Sequence, residues 1–164
     1  MFNFLKNLTN KKIAVKAFVD GEVVPLKEVG DGVFSEGMIG EGFAMKPASK
    51  HIVAPVSGTL SMVFATGHAY GISIGAKLNF LLHLGIDTVN LKGEGFSVKV
   101  NKGQAIIAGQ TLCSYDYTAI ASKVTSTMCP FIIPADLKDL YTFEDIKYGP
   151  AKADDVVAYV VKKK

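Results

Sequence analysis

Three histidines occur in the chain of 164 residues, His51, His68 and His83, and two of them stand where a hairpin could bring them together. If Gly75-Ala76 forms a two-residue turn with glycine in its first central place, partner residues have numbers that sum to 151, and His68 faces His83. Their Cβ atoms would then lie ~4.5 to 5.5 Å apart on one face with Thr66, Tyr70 and Leu81, while Ala69, Phe80, Leu82 and Leu84 point into the core. Such a pair has three uses. A neutral imidazole can attack phosphorus through one ring nitrogen while an acceptor holds the proton on the other and fixes the tautomer. The second imidazole then donates to the phosphoryl oxygens, a role otherwise given to Arg or Lys. His83 would be that nucleophile and His68, oriented by the Thr66 hydroxyl, the stabiliser. Zinc binding is the second use, but two histidines fall short of the three or four protein ligands zinc takes, so another must come from elsewhere. The third is plain packing of two half-exposed rings on a sheet.

The elements that must position the pair read as β-structure. Short runs rich in Val, Ile and aromatic residues cover Ala14 to Val19, Glu22 to Val29, Ile52 to Val56, Thr59 to Phe64, Ala69 to Ile74, Leu78 to Leu84, Phe96 to Val100, Thr111 to Tyr115 and Val156 to Val161. Gly, Pro, Asn or Asp punctuate them at intervals of about 8 to 12 residues, the spacing of sandwiches and barrels. Two short helical turns are expected, Tyr117 to Lys123 behind an Asp116 cap and Ala135 to Leu140 after Pro134. The pattern predicts an all-β, antiparallel β-sandwich or distorted barrel with one or two helical turns.

Composition narrows the function. Apolar residues make up 49% and charged residues 20%, which predicts a compact domain that folds alone. All 18 basic residues are Lys, so no guanidinium fork exists for bidentate grip on phosphate or guanine, and nucleic-acid binding is not expected. The net charge of +3 is carried by Lys162, Lys163 and Lys164, leaving the body near neutral. Cys113 and Cys129 are not in a C-x-x-C spacing and suit a reducing compartment. No run approaches the ~20 apolar residues of a membrane span and no signal peptide is read, so a cytoplasmic protein is expected. Gly37-Met38-Ile39-Gly40-Glu41-Gly42 superficially suggests a phosphate-cradling loop, but it lacks the Lys-Ser/Thr of a P-loop and a surrounding βαβ unit.

The segment His83-Leu84-Gly85-Ile86-Asp87-Thr88-Val89-Asn90-Leu91-Lys92-Gly93-Glu94-Gly95-Phe96 resembles the phosphorylation-site signature of the glucose-type enzyme IIA family of the bacterial sugar phosphotransferase system. Asp31 to Phe34, Met38 to Gly42, Ala54 to Thr59 and Thr66 to Ala69 resemble its other blocks in the same order, and Val100 to Leu112 and Asp116 continue the likeness. The resemblance implies a single enzyme IIA type-1 domain over residues 14–164 behind a flexible N-terminal tail, residues 1–13, in which Phe2, Leu5 and Leu8 lie at helical spacing. It also implies a phosphotransferase component. The histidine phosphocarrier protein HPr gives a phosphoryl group to His83, which passes it to a cysteine on the enzyme IIB domain of a glucose-class permease. His68 stabilises the group and Thr66 orients His68. Asp31 and Asp87 match acidic positions beside the site, and Val33, Phe34, Met38, Ile39, Phe64 and Leu81 match an apolar docking rim. No cofactor is required by the resemblance. Some members form a zinc site at the two histidines, here His68 and His83, with a partner's carboxylate, and some regulate other proteins such as glycerol kinase. Gly67 departs from the family, which usually has a bulkier residue there, a change expected to loosen the His68 backbone.

Two other classes share parts of the pattern. A β-rich zinc peptidase needs a second histidine two residues before the last one, where this chain has Leu81. Lipoyl and biotinyl carrier domains share Ala-Pro-x-x-Gly-Thr and the rhythm from Gly103 to Gln110, but they need a Lys at a hairpin tip between Met or similar residues, and Lys77 stands between Ala76 and Leu78.

Overall fold

The computed structural model describes residues 12–164. The expected N-terminal tail, with Phe2, Leu5 and Leu8, lies almost wholly outside the described residues, and the first strand begins at Ile13. The strands are β1 (Ile13–Lys16), β2 (Gly21–Pro25), β3 (Gly40–Pro47), β4 (His51–Val53), β5 (Gly58–Val63), β6 (Ala69–Ile74) and β7 (Leu78–His83). They continue with β8 (Phe96–Val98), β9 (Ala105–Ile106), β10 (Thr111–Tyr115), β11 (Cys129–Pro134), β12 (Tyr141–Glu144), β13 (Gly149–Ala151) and β14 (Val156–Lys162). All pair antiparallel, in an eight-stranded sheet of order β13-β2-β3-β11-β7-β6-β5-β9 and two three-stranded sheets, β1-β14-β12 and β4-β10-β8. The sheets are not closed on themselves. One α-helical turn, α1 (Tyr117–Ile120), is capped by the Asp116 carboxylate accepting from the Ala119 N–H, and a 3-10 turn, Ala121–Lys123, extends it. Ala135–Leu137 forms the second turn after Pro134. Among the described residues no helix is long and apolar enough to cross a membrane.

The eight-stranded sheet is apolar on both faces, and this decides where the site sits. Its inner face carries Val23, Met45, Phe43, Phe131, Leu82, Tyr70, Phe80 and Ile72 into the main core. By the two-residue period its outer face carries Val24, Ala44, Ile132 and Leu81. Those residues join a second, smaller cluster with Val29, Phe34 and Ile86, roofed by the 26–39 connection and the turn after β7. His83 ends β7 on this outer face.

Two sequence expectations change here. The β6-β7 turn has three residues, Gly75-Ala76-Lys77, so Ile74 pairs with Leu78 and His83 stands opposite Ala69, not His68. Tyr70, expected beside the histidines, is fully buried in the core, and Ala69 takes the histidine face. Burial explains the shift. The observed register sets the large Tyr70 and Ile72 opposite Leu82 and Phe80, whereas a two-residue turn would send Ala69 and Gly71 inward in their place. The strands β3, β9, β11, β12 and β13 were not visible in the pattern. Two glycines interrupt β3, and prolines stand at Pro130 and Pro134 of β11, both of which argue against a strand on sequence alone.

Candidate functional site

His68 lies one residue before β6, in a bend where Gly67 adopts φ +79°. Strand alternation therefore does not dictate its direction, and its ring meets that of His83 edge-on, with centroids 5.2 Å apart and planes at 75°. The backbone is held on both sides of the bend: Leu84 N–H donates to the His68 carbonyl at 2.7 Å, and Gly67 N–H to the Phe64 carbonyl at 2.8 Å. Gly67 is buried, and a Cβ there would sit 2.7 Å from Val98 Cγ2 and 3.0 Å from Phe96 Cβ. Glycine thus lets β8 close against the turn that carries His68.

The hydrogen bonds of the two rings assign their protons. His83 Nδ1 is 2.6 Å from the Gly85 carbonyl, which can only accept, so Nδ1 carries the hydrogen and the neutral ring keeps its lone pair on Nε2. Thr66 Oγ1 is 2.5 Å from His68 Nδ1. We assign the hydroxyl as donor there, which places the His68 ring proton on Nε2. Burial, and then the neighbouring His83, push the His68 pKa down to about 4. Burial also holds His83 below the ordinary histidine range, although the Gly85 carbonyl and the carboxylates of Asp31 and Asp87 pull the other way. Both rings are neutral at pH 7.

Around the pair, Phe34 is tilted against His83 at 5.2 Å and Phe64 is stacked on His68 at 5.0 Å and 29°. Of the expected docking rim, Val33 (41% exposed), Met38 (67%), Ile39 (37%) and Phe64 (43%) face solvent. Phe34, only 8% exposed, is instead a wall of the site, and half-buried Leu81 packs into the second cluster. Asp31 organises the loop that carries Val33, Phe34 and Met38. Its carboxylate accepts from the N–H groups of Ser35 (2.9 Å), Phe34 (3.1 Å) and Val33 (3.2 Å). Partial burial opposes its charge, but those hydrogen bonds hold the carboxyl below its usual range. Asp87 is exposed, adopts φ +66°, and accepts from the Thr125 hydroxyl.

Three contributors were missed in the sequence. The Gly85 carbonyl is backbone and leaves no signature. Thr88, fully buried, donates to the Leu84 carbonyl at 2.7 Å and braces the same turn. Thr125 reaches Asp87 from 38 residues away, beside the isolated bridge between Ile86 and Ser126, and no local pattern points to it.

Hollows of about 650 Å³ among the described residues, one bounded by Lys12, Glu144 and the terminal lysines and one by Ile13, Ser57 and Ile107, are lined by neither His68 nor His83. Among the described residues no group of three or more His, Cys, Asp and Glu comes together as metal ligands, so the pair offers zinc two ligands of the three or four it takes.

The fold is an open antiparallel sandwich that brings two imidazoles together beside the exposed apolar side chains of Val33, Met38, Ile39 and Phe64. Residues 13–138 match the family described as phosphoenolpyruvate-dependent sugar phosphotransferase system, EIIA 1. The chain belongs to this family and is a component of such a sugar phosphotransferase system. It is 43% identical over 149 residues to the glucose-specific EIIA component of Mycoplasma capricolum, covering 91% of this chain and 96% of that one. It is 47% identical over 128 residues to the glucose-specific EIICBA component of Streptococcus pneumoniae, covering 77% of this chain but 17% of that much longer protein. The solved structure of glucose permease IIA from Mycoplasma capricolum superposes with a TM-score of 0.85 at 43% identity, covering 92% of this chain and 96% of that one.

Proposed function

We propose that this chain carries a phosphoryl group from phospho-HPr to the enzyme IIB domain of a glucose-class permease through His83. The observation that carries the reading is the 2.6 Å hydrogen bond from His83 Nδ1 to the Gly85 carbonyl, because it leaves Nε2 as the lone-pair nitrogen of a neutral imidazole. In the first transfer a bond forms between His83 Nε2 and phosphorus as the donor's nitrogen–phosphorus bond breaks, and the electron pair returns to the donor imidazole. In the second, the IIB thiolate attacks phosphorus, a sulfur–phosphorus bond forms, and the pair returns to Nε2. His83 keeps its Nδ1 proton on Gly85 throughout. His68, with Nε2–H free and Nδ1 held by Thr66, donates to the phosphoryl oxygens as charge redistributes. Val33, Met38, Ile39 and Phe64 form the apolar docking rim, and the names of the relatives support glucose as the sugar class. A zinc ion at His68 and His83 would need further ligands from a partner, and no step depends on it.

The test supplies phosphoenolpyruvate, enzyme I and HPr and maps the modified residue by mass spectrometry. Label should appear on His83 and vanish in His83→Gln; label persisting in that variant refutes the assignment. His68→Gln should still take up phosphate but pass it on slowly.

A further inference from the structure

The turn between β5 and β6 does more than carry His68. Phe64 follows β5 directly, its N–H donates to the Ala69 carbonyl at 3.1 Å, and its carbonyl accepts from Gly67 N–H at 2.8 Å, so its backbone closes both ends of the turn. Its ring then folds back over the imidazole, with centroids 5.0 Å apart and planes only 29° from parallel. The result is an asymmetric pair. Phe64 keeps 43% of its surface exposed, while His68 beneath it keeps 4%. Thr66 holds Nδ1 of the His68 ring, and the His83 ring meets it edge-on.

We infer that Phe64 is a positioning residue for His68: its stacked ring fixes the plane of the imidazole and keeps water off its face, so that Nε2–H is held ready beside His83. The inference rests on the reading of His68 as the stabilising imidazole, and it assigns Phe64 a task separate from docking. A residue used only as rim surface would need to be apolar and exposed. It would not need a flat face parallel to an imidazole, nor would it alter that imidazole in the absence of a partner. On this reading, stacking also accounts for part of the burial of His68. Attraction between a phenyl face and a protonated imidazole runs the other way, and the sign of the midpoint change in Phe64→Ala reads which of the two effects wins.

The test uses the full chain alone and follows the His68 ring nitrogens by NMR from pH 3 to 8 in the native chain and in Phe64→Ala, Phe64→Met and Phe64→Tyr. In the native chain the His68 midpoint should lie at about 4, with one tautomer bearing its proton on Nε2. Phe64→Ala should raise the midpoint by about one unit or more and broaden the tautomer signature, because the face becomes wet. Phe64→Tyr, which keeps the flat ring, should restore the native midpoint, and Phe64→Met, apolar but not flat, should fall between. With saturating acceptor, Phe64→Ala should also slow the passing of phosphate by about 10-fold, a loss of orientation that added acceptor cannot recover. A midpoint in Phe64→Ala within about 0.3 unit of native, or a transfer defect that saturating acceptor abolishes, overturns the inference and leaves Phe64 a docking residue. The NMR readout involves no phosphate or partner. Failure of the relay would appear as label off His83 with the His68 midpoint behaving as stated, so the two failures are distinguishable.

Discussion

Replacing Gly85 by alanine tests whether the carbonyl that holds His83 depends on a turn with no room to relax. Gly85 has φ +77°, and a Cβ on it would stand 2.5 Å from Thr88 Cγ2, 2.8 Å from the Tyr115 hydroxyl and 3.1 Å from the Ser126 carbonyl. Gly75 supplies the control, since it has φ +63° and nothing within 4 Å of the position a Cβ would take. Left-handed backbone at a residue with a side chain costs about 1 to 2 kcal/mol, partly offset by the about 0.4 to 1 kcal/mol gained as alanine restricts the unfolded chain. Gly75→Ala should therefore destabilise by only about 0.5 to 1 kcal/mol. Gly85→Ala bears the same cost and in addition the overpacking of Thr88, Tyr115 and backbone, about 1 to 3 kcal/mol more. In urea titrations at matched slope, its midpoint should fall below that of Gly75→Ala by about 1 M. The turn can relieve the clash only by moving, which takes the Gly85 carbonyl off His83 Nδ1 and frees the other tautomer, so phosphoryl acceptance should drop about 10-fold or more under conditions where the variant is folded. Gly75→Ala should accept phosphate at the native rate. If the two variants unfold together and accept phosphate equally, the tight turn is not what fixes the nucleophile.

Two pH dependences follow from the buried imidazoles. Phosphoryl acceptance needs neutral His83, whose pKa burial lowers below 6.5 against the opposing pull of Gly85, Asp31 and Asp87; acceptance should rise with pH and level off, with its half-point on the acid side of 6.5. A half-point at or above 6.5 contradicts the burial argument. Stability should fall as pH drops from about 6.5 to about 4, because the unfolded chain protonates His68 near its ordinary value while the folded chain resists until about 4. His68→Gln should flatten that stretch of the curve, by on the order of 1 to 3 kcal/mol, in chemical denaturation run at successive pH values.

The β-rich class was readable because alternation and turn residues survive wherever one sheet face is apolar and the other is not. Of the strands that escaped notice, β9, β12 and β13 are short edge strands, and the two central ones break this rule. β3 and β11 lie in the centre of a sheet apolar on both faces, so Phe43, Ala44 and Met45, or Phe131, Ile132 and Ile133, run on without alternation. The two imidazoles do meet, but not by the expected geometry. Facing positions on paired strands were expected; instead His68 follows a left-handed Gly67, lies outside the strand period and meets His83 from just before β6. A local pattern cannot show this, because the bend is set by β8 packing beneath Gly67, about thirty residues further along the chain. The same holds for Thr125 on Asp87.

What the site lacks bears on how it would release its cargo. Residues 29–45, 51–76 and 78–91, which carry the two histidines and the loop of Asp31, contain no lysine, and the chain has no arginine. On the proposed relay, a phosphoryl group on His83 meets neutral N–H donors and the nearby carboxylates of Asp31 and Asp87, whose charge repels it. Nothing in these stretches acts as a fixed counter-charge, so the bound group is held by its bond to Nε2 and by His68, and it is poised to leave. On that proposal, charge compensation arrives with each partner. A cation brought by the donor stabilises the group on the way in, and one brought by the acceptor does so on the way out, so one apolar rim can serve both directions without favouring either.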